Sequence, residues 1–144
     1  MFQIHSITGR IIIGKLTGFV IGLIAMLLLA SIGFPVWSTF GLGTLLMFMI
    51  MGVVIGLVGM FDRSPIVDFV MDWKTRGAVV GFVFGIMYVL LSYRAVEVIM
   101  ESQFINAIGL SSPFWVVLDM VVIGMIIGFL ETKIAGEGQE LPLK

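Results

Sequence analysis

The sequence predicts an all-α integral membrane protein whose four transmembrane helices form two similar hairpins, a parallel tandem repeat. Three observations predict it: 60% of the 144 residues are hydrophobic, only 12% are charged, and four apolar stretches are long enough to cross a bilayer. Soluble domains are nearer a quarter charged, and a domain of this size keeps much of its surface in water. Much of the apolar surface is therefore expected to face lipid.

The first predicted span runs from Ile11 to Ile32, with Lys15 as its charged residue. About 20 helical residues cross the roughly 30 Å of hydrocarbon, and a helix satisfies its own backbone groups there. Because the start of this span is basic, with Arg10 and Lys15, a cleaved signal peptide is the alternative. The run of about 22 residues exceeds the roughly 7–15 apolar residues of a signal peptide, which favours a retained helix.

Three further spans follow the first. The second, Leu42 to Phe61, contains no charge, and the third begins at Gly77 and is apolar to Tyr93, with mixed character to about Met100. The fourth runs from Pro113 to Leu130 and contains one acid. A single membrane domain over residues 1–144 would thus contain a first hairpin at 10–61 and a second at 77–131.

The connection at residues 62–76 contains Ser64-Pro65, a pair typical of a helix start. The apolar residues that follow are spaced on one helical face, with acids on the other, so a short interfacial helix is favoured over a polar loop. The glycine-rich polar tail, residues 132–144, is expected to be flexible.

The distribution of basic residues predicts the orientation. Of the 8 Lys and Arg residues, all but Arg94 lie at the amino end, in the middle connection or in the tail. Basic residues collect on the cytoplasmic side of membrane helices. Both termini are therefore predicted to be cytoplasmic, in a multi-pass protein of the cell (plasma) membrane.

Two segments place glycine at the same three positions: residues 14–22 read GKLTGFVIG and residues 77–85 read GAVVGFVFG. The second and fourth spans contain a related pair, GVVIG at 52–56 and GMIIG at 124–128. Duplication of a two-helix hairpin explains both, with the copies in the same orientation. Chance resemblance between two apolar, glycine-rich segments is the alternative.

Glycines four residues apart lie on one face of a helix, where a neighbouring backbone can approach closely. We therefore expect the first and third spans to meet along their glycines, with the second and fourth completing the core. The predicted helix-packing residues are Gly14, Gly18, Gly22, Gly52, Gly56, Gly77, Gly81, Gly85, Gly124 and Gly128.

Asp119, in the fourth span, is the clearest candidate for chemistry, because a charge inside a membrane is costly unless it is paired or hydrated. Arg94 and Glu97 lie near the outer end of the third span, on the same side of the membrane as Asp119. The three residues are expected to form either an ion pair that fixes helix packing, which is favoured, or an ion or proton site. The first hairpin has no counterpart to them, which weakens a transport interpretation.

Several functional classes are disfavoured. The chain has no cysteine, which excludes disulfides and thiolate metal sites, and its one histidine excludes a paired imidazole site. Its net charge is nearly neutral, so it has no excess of basic residues for binding nucleic acid. Without a Walker, HExxH or GxSxG motif, no enzyme, cofactor or metal is predicted. Two hypotheses remain. One is a scaffold or accessory subunit that packs in the lipid bilayer with itself or a larger membrane protein; the other is a small ion, proton or solute channel or transporter subunit.

Overall fold

Four long helices and one short helix make up the described part of the protein. The computed structural model describes residues 6–59, 71–102, 105, 109 and 112–136. The helices are α1 (Ile7–Ser31), α2 (Thr39–Val58), α3 (Trp73–Leu91), α4 (Tyr93–Met100) and α5 (Trp115–Ala135). All but α4 are long and apolar enough to cross a membrane. They pack as an α1–α2 hairpin and an α3–α5 hairpin, which confirms the predicted fold class.

Side-chain caps start three of the long helices slightly before the predicted apolar runs. Ser6 Oγ accepts a hydrogen bond from the Gly9 amide at 3.0 Å, and Ser38 Oγ accepts one from the Gly41 amide at 3.0 Å. Asp72 caps α3 in the same way, through the amide of Thr75 at 2.9 Å. Each cap satisfies an amide that has no carbonyl partner in the first turn, so the helix extends back to the cap.

The chain breaks where the third span was predicted to continue with mixed character. Ser92 has φ −121° and ψ 25°, away from helical geometry, so α3 ends at Leu91 and α4 is a separate helix. At the other end of the second hairpin, α5 continues through residues 132–135, which were assigned to the flexible tail. Residues 60–70, which hold most of the predicted interfacial helix, lie outside the described residues.

Replacing the α3 cap tests the contribution of Asp72. We expect Asp72→Ala to lower the free energy of unfolding by about 1 kcal/mol, whereas Asp72→Asn, which keeps a capping oxygen, should change it little. Thermal unfolding of the purified protein in detergent measures both variants. Equal losses for the two variants would contradict a capping role.

The same cap has a defined dependence on pH. Hydrogen bonds from the backbone and the hydroxyl of Thr75 lower the pKa of the Asp72 carboxyl below its ordinary value of 3.8. Because the folded-state pKa is the lower one, the stabilisation is complete above pH 3.8 and is lost as the pH falls through the lowered pKa. Asp72→Ala should therefore remove part of the acid sensitivity of the protein.

The glycine stripe of α1 (Gly14, Gly18 and Gly22) lies against α2. A Cβ atom built on Gly14 would overlap the carbonyl oxygen of Gly52, and one built on Gly52 would overlap the carbonyl oxygen of Gly14. Gly18 lies in the same way against the Phe48 carbonyl, and Gly22 against the backbone of Leu45. The two backbones therefore approach more closely than any larger residue would permit.

The glycine stripe of α3 (Gly77, Gly81 and Gly85) lies against α5 with the same geometry. Gly77 and Gly124 would each overlap the other's carbonyl oxygen if either carried a Cβ, and Gly81 lies against the Met120 carbonyl. The expectation that the first and third spans meet along these glycines is therefore wrong. Both helices of each hairpin carry glycine where they cross, so the two bare faces pair within the hairpin.

The two hairpins share one contact register. The pairs Gly14–Gly52, Gly18–Phe48 and Gly22–Leu45 of the first hairpin correspond to Gly77–Gly124, Gly81–Met120 and Gly85–Val117 of the second. Each residue of the first helix is 63 positions before its counterpart, and each residue of the second helix is 72 positions before its counterpart. The same crossing therefore recurs with different side chains around it.

The two hairpins pack mainly through α1 with α5 and through α2 with both α3 and α5. Met51, Ile55 and Ile127 lie at the centre of the bundle and are fully buried. The short helix α4 contributes Val96 and Met100 to the same core. The core therefore joins both hairpins and extends under α4.

One hydroxyl pair connects the hairpins inside this core. Thr44 on α2 donates to the Phe40 carbonyl at 2.9 Å, and its oxygen lies 2.8 Å from the hydroxyl of Tyr88 on α3. Because the Thr44 proton is already used, Tyr88 is the donor of the second bond. The Tyr88 ring also lies against Phe40, with the ring centroids 5.8 Å apart.

Removing this hydroxyl should have a modest and specific effect. We expect Tyr88→Phe to destabilise the protein by about 1 kcal/mol, and Tyr93→Phe, at an exposed tyrosine of α4, to have little effect. A double-mutant cycle with Thr44→Val should give a coupling energy of about 0.6 kcal/mol, the usual scale inside membranes. A coupling energy of zero would contradict the bond.

Candidate functional site

Three ionisable side chains are completely buried at one end of the bundle, here called the arginine end, where α1 and α3 begin. Arg10 on α1, Arg76 on α3 and Glu131 on α5 are each 0% exposed. Together they form the arginine–glutamate cluster. Charged side chains are fully buried only when other groups compensate their charge. The contacts of these three side chains therefore define the site.

Arg10 connects the start of α1 to the end of α5. Its Nη2 atom lies 3.5 Å from Glu131 Oε2 and donates a hydrogen bond of 3.4 Å to Thr132 Oγ1. Its Nη1 atom donates to the carbonyl oxygen of Gly136, the C-cap of α5, at 2.6 Å. A cation at this position also interacts favourably with the carboxyl-terminal end of the helix dipole.

Two glycines make room for the cluster. A Cβ atom on Gly59, the C-cap of α2, would overlap Nε of Arg10 and Nη1 of Arg76, so both guanidinium groups converge over this residue. A Cβ atom on Gly14 would overlap the Oε1 atom of Glu131. All four long helices therefore contribute to the cluster, with α2 supplying a bare backbone.

The cluster breaks the correspondence between the hairpins. With the offsets of 63 and 72 positions that relate the two hairpins, Arg10 corresponds to Trp73, and Glu131 corresponds to Gly59. Trp73 packs instead on Phe129 within its own hairpin, with the ring centroids 5.1 Å apart. The charged residues thus differ between the two hairpins, and the pair Arg10–Glu131 joins one hairpin to the other.

Sequence reasoning used Arg76 for membrane orientation and Arg10 for orientation and the signal-peptide alternative, and it did not select Glu131 as a site residue. A signal for two of them was present: Arg10 is four residues before Gly14, and Glu131 is three residues after Gly128. Both charges therefore continue a glycine face, which is the face that packs. Arg76 is likewise four residues before Val80, on the side of α3 that also carries Tyr88.

Two cavities lie toward the opposite end of the bundle. One of about 660 Å³ lies between the end of α1 and the start of α5, beneath α4. The other, of about 700 Å³, lies between α2 and the junction of α3 with α4. Thr44 and Tyr88 line both cavities.

The predicted polar cluster is distributed over these two cavities. Asp119 lines the first and Arg94 the second, and both side chains, like Glu97, are exposed. Within the described residues, no ion pair or hydrogen bond joins the three side chains. The break at Ser92 separates α4 from α3, so Arg94 does not continue the face of α3 from which its position was estimated.

The remaining predicted glycines lie at helix contacts near the arginine end. Gly56 lies against the backbone of Arg10 and Ile11, and Gly128 lies against the Trp73 carbonyl. All ten glycines predicted to pack are buried. No group of three or more metal-ligating side chains occurs in the described ranges of the chain.

Four long apolar helices in two hairpins, with a polar cluster at one end, define a small multi-pass integral membrane protein. Comparison with known proteins does not narrow this class, because no family model, no curated protein and no solved structure matches the chain. Function must therefore be argued from the residues themselves.

Proposed function

We propose that this chain is a non-enzymatic membrane scaffold or accessory subunit in which glycine-mediated helix packing holds the four long helices together, so that their exposed faces can contact a second copy or a larger membrane protein. The observation that carries the proposal is the shared contact register of the two hairpins, in which the glycine stripes hold neighbouring backbones together. Close packing of this kind is the main source of helix association where lipid already solvates apolar surface.

The polar residues support the same proposal because they bond to other groups within the helix bundle. Ser6 caps α1, Thr44 bonds to Tyr88, and Arg10 pairs with Glu131. Side chains engaged in this way do not form a continuous polar path across the bilayer. A helix bundle held together by internal contacts can present its outer helix faces to a partner protein in a fixed arrangement.

We further infer that the hairpins arose by duplication and that the arginine end is cytoplasmic. The equivalent contacts at positions 63 and 72 residues apart support duplication, since chance similarity of apolar residues does not require a common register. Arg10, Lys74, Arg76 and Lys133 lie toward one end, as expected for the cytoplasmic side of the cell membrane.

The faces available to a partner are the exposed apolar faces of the long helices. Val20 on α1 and Val83 on α3 lie at equivalent positions of the two hairpins, and both are exposed. Such residues contact either lipid or the helices of another molecule. Tryptophan at a lipid-facing position is tolerated, whereas tryptophan at a packed interface is not.

Affinity purification of the full chain in mild detergent tests the scaffold proposal. We expect the purified particle to contain a second copy or a larger membrane protein, identified by its mass and by mass spectrometry. Val20→Trp or Val83→Trp should release that partner without changing the helical content. A particle that contains one copy and no companion protein, in detergent and in lipid nanodiscs, would contradict the proposal.

A second function, a small ion, proton or solute channel or transporter subunit, is supported by one observation. Asp119 belongs to a membrane-spanning helix and lines a cavity, which is the usual position of an acid in a transport path. Flux into proteoliposomes should then be lost in Asp119→Asn and retained in Glu101→Gln, an exposed acid at the end of α4. Equal flux in wild type and Asp119→Asn would contradict it.

A further inference from the structure

We propose that the cavity between α1 and α5 binds a lipophilic organic cation and that Asp119 provides its counter-charge. This inference deepens the second proposed function by naming a ligand class. Because it concerns binding alone, it can hold where no flux is observed, and it can fail without affecting the scaffold proposal.

The size and the lining of the cavity indicate an organic ligand. Its volume of about 660 Å³ falls within the range of roughly 300–1,000 Å³ of small-molecule sites. Most of the wall is apolar and comes from both hairpins: α1 contributes Ala25 and Leu29, and α5 contributes Val116 and Ile123. Such a wall forms few hydrogen bonds with a hydrophilic solute, but it can bury the apolar surface of an organic ligand.

The charge of the ligand follows from Asp119. Among the described residues that line the cavity, Asp119 is the one with a charged side chain. An anionic amphiphile would be repelled by it, and a neutral one would leave it without a counter-charge on a membrane-spanning helix.

A bare metal ion does not fit this site. Hard cations such as Ca²⁺ take about six to eight oxygen ligands. Besides Asp119, the side-chain oxygens among the described lining residues belong to Ser31, Thr44 and Tyr88. Those of Thr44 and Tyr88 are bonded to each other, and the Ser31 hydroxyl donates to the Leu28 carbonyl at 2.6 Å.

The position of Asp119 sets the orientation of the ligand. It lies four residues into α5, about 6 Å along the helix from Trp115, and its side chain is exposed. Met120 and Phe48, which also line the cavity, are buried residues of the core. The cationic group is thus expected beside Asp119, and the apolar part of the ligand against the buried residues.

Two probes of the same shape and opposite charge test the proposal: tetraphenylphosphonium and tetraphenylborate. Equilibrium dialysis with the full-length protein in a non-ionic detergent should show saturable binding of tetraphenylphosphonium and much weaker binding of tetraphenylborate. Asp119→Asn should weaken tetraphenylphosphonium binding by about tenfold or more. Glu101→Gln, which removes an acid outside the cavity, should leave binding unchanged.

A second variant keeps the test valid if Asp119→Asn does not fold. Ala25→Leu fills part of the cavity without changing any charge, and it should weaken binding of tetraphenylphosphonium as well. Equal affinity for both probes, or affinity unchanged by Asp119→Asn and Ala25→Leu, would overturn the proposal. Displacement of tetraphenylphosphonium by phosphatidylethanolamine would also overturn it, because the cavity would then belong to a lipid.

Discussion

Replacing Glu131 with alanine should be among the most damaging single changes in this protein, with an expected loss of about 3–5 kcal/mol in the free energy of unfolding. The reason is the burial of its partner: Arg10 is 0% exposed and lies 3.5 Å from the Glu131 carboxylate. Without the carboxylate, a buried guanidinium group loses the acid that lies beside it in a position that water does not reach. The loss is therefore much greater than for an ion pair at the surface.

Unfolding by SDS in mixed micelles, followed by circular dichroism, measures this effect. Glu97→Ala is the matched control, since it removes the same side chain from an exposed position on α4. Its effect should stay within about 0.5 kcal/mol, as is usual for surface substitutions. Similar losses for Glu131→Ala and Glu97→Ala would show that the buried pair does not stabilise the bundle.

Replacing Gly52 with alanine should cost about 3 kcal/mol, although it adds only one methyl group. The added Cβ would overlap the carbonyl oxygen of Gly14, which is backbone and cannot rotate away. The two helices of the first hairpin would have to move apart along their whole contact. Gly124→Ala should have a comparable effect on the second hairpin, because Gly124 lies against the Gly77 carbonyl in the same way.

Gly43→Ala provides the control on the same helix. Gly43 is exposed, and a Cβ atom there would meet nothing within 4 Å. Since alanine is the better helix former, this change should be neutral or should stabilise the protein by about 0.5–1 kcal/mol. The contrast between two identical substitutions on α2 isolates the helix contact, and equal effects on unfolding in detergent would contradict it.

The spans were predictable because hydrophobicity and length are local properties of the chain. A stretch such as Leu42 to Phe61 must be helical in hydrocarbon whatever its neighbours do, and α2 occupies most of it. The four-residue step between glycines also fixes which of them share a helix face, whatever that face contacts. Only the ends shifted, where Ser6, Ser38 and Asp72 cap the helices.

The partner of each face was not predictable from spacing alone. A glycine stripe shows that a helix packs closely, but not which helix it meets, and the stripe of α1 faces α2 rather than α3. The pairing of Arg10 with Glu131 depends on how α1 and α5 come together, and no local pattern encodes that. An arginine at the start of a span is also usually solvated by headgroups, which made the topological interpretation the natural one.

The distribution of the predicted polar cluster over two cavities has a similar cause. The third span was predicted to continue past Tyr93, and Ser92 interrupts it between α3 and α4. Arg94 therefore belongs to a separate short helix. It lines one cavity and Asp119 lines the other.

The contact between Arg10 and Glu131 also bears on how the protein is made. A ribosome synthesises Arg10 three spans earlier than Glu131, so the first hairpin is made before the residue that joins it to α5 exists. This contact between the two hairpins can therefore form only after translation has passed Glu131, near the end of α5.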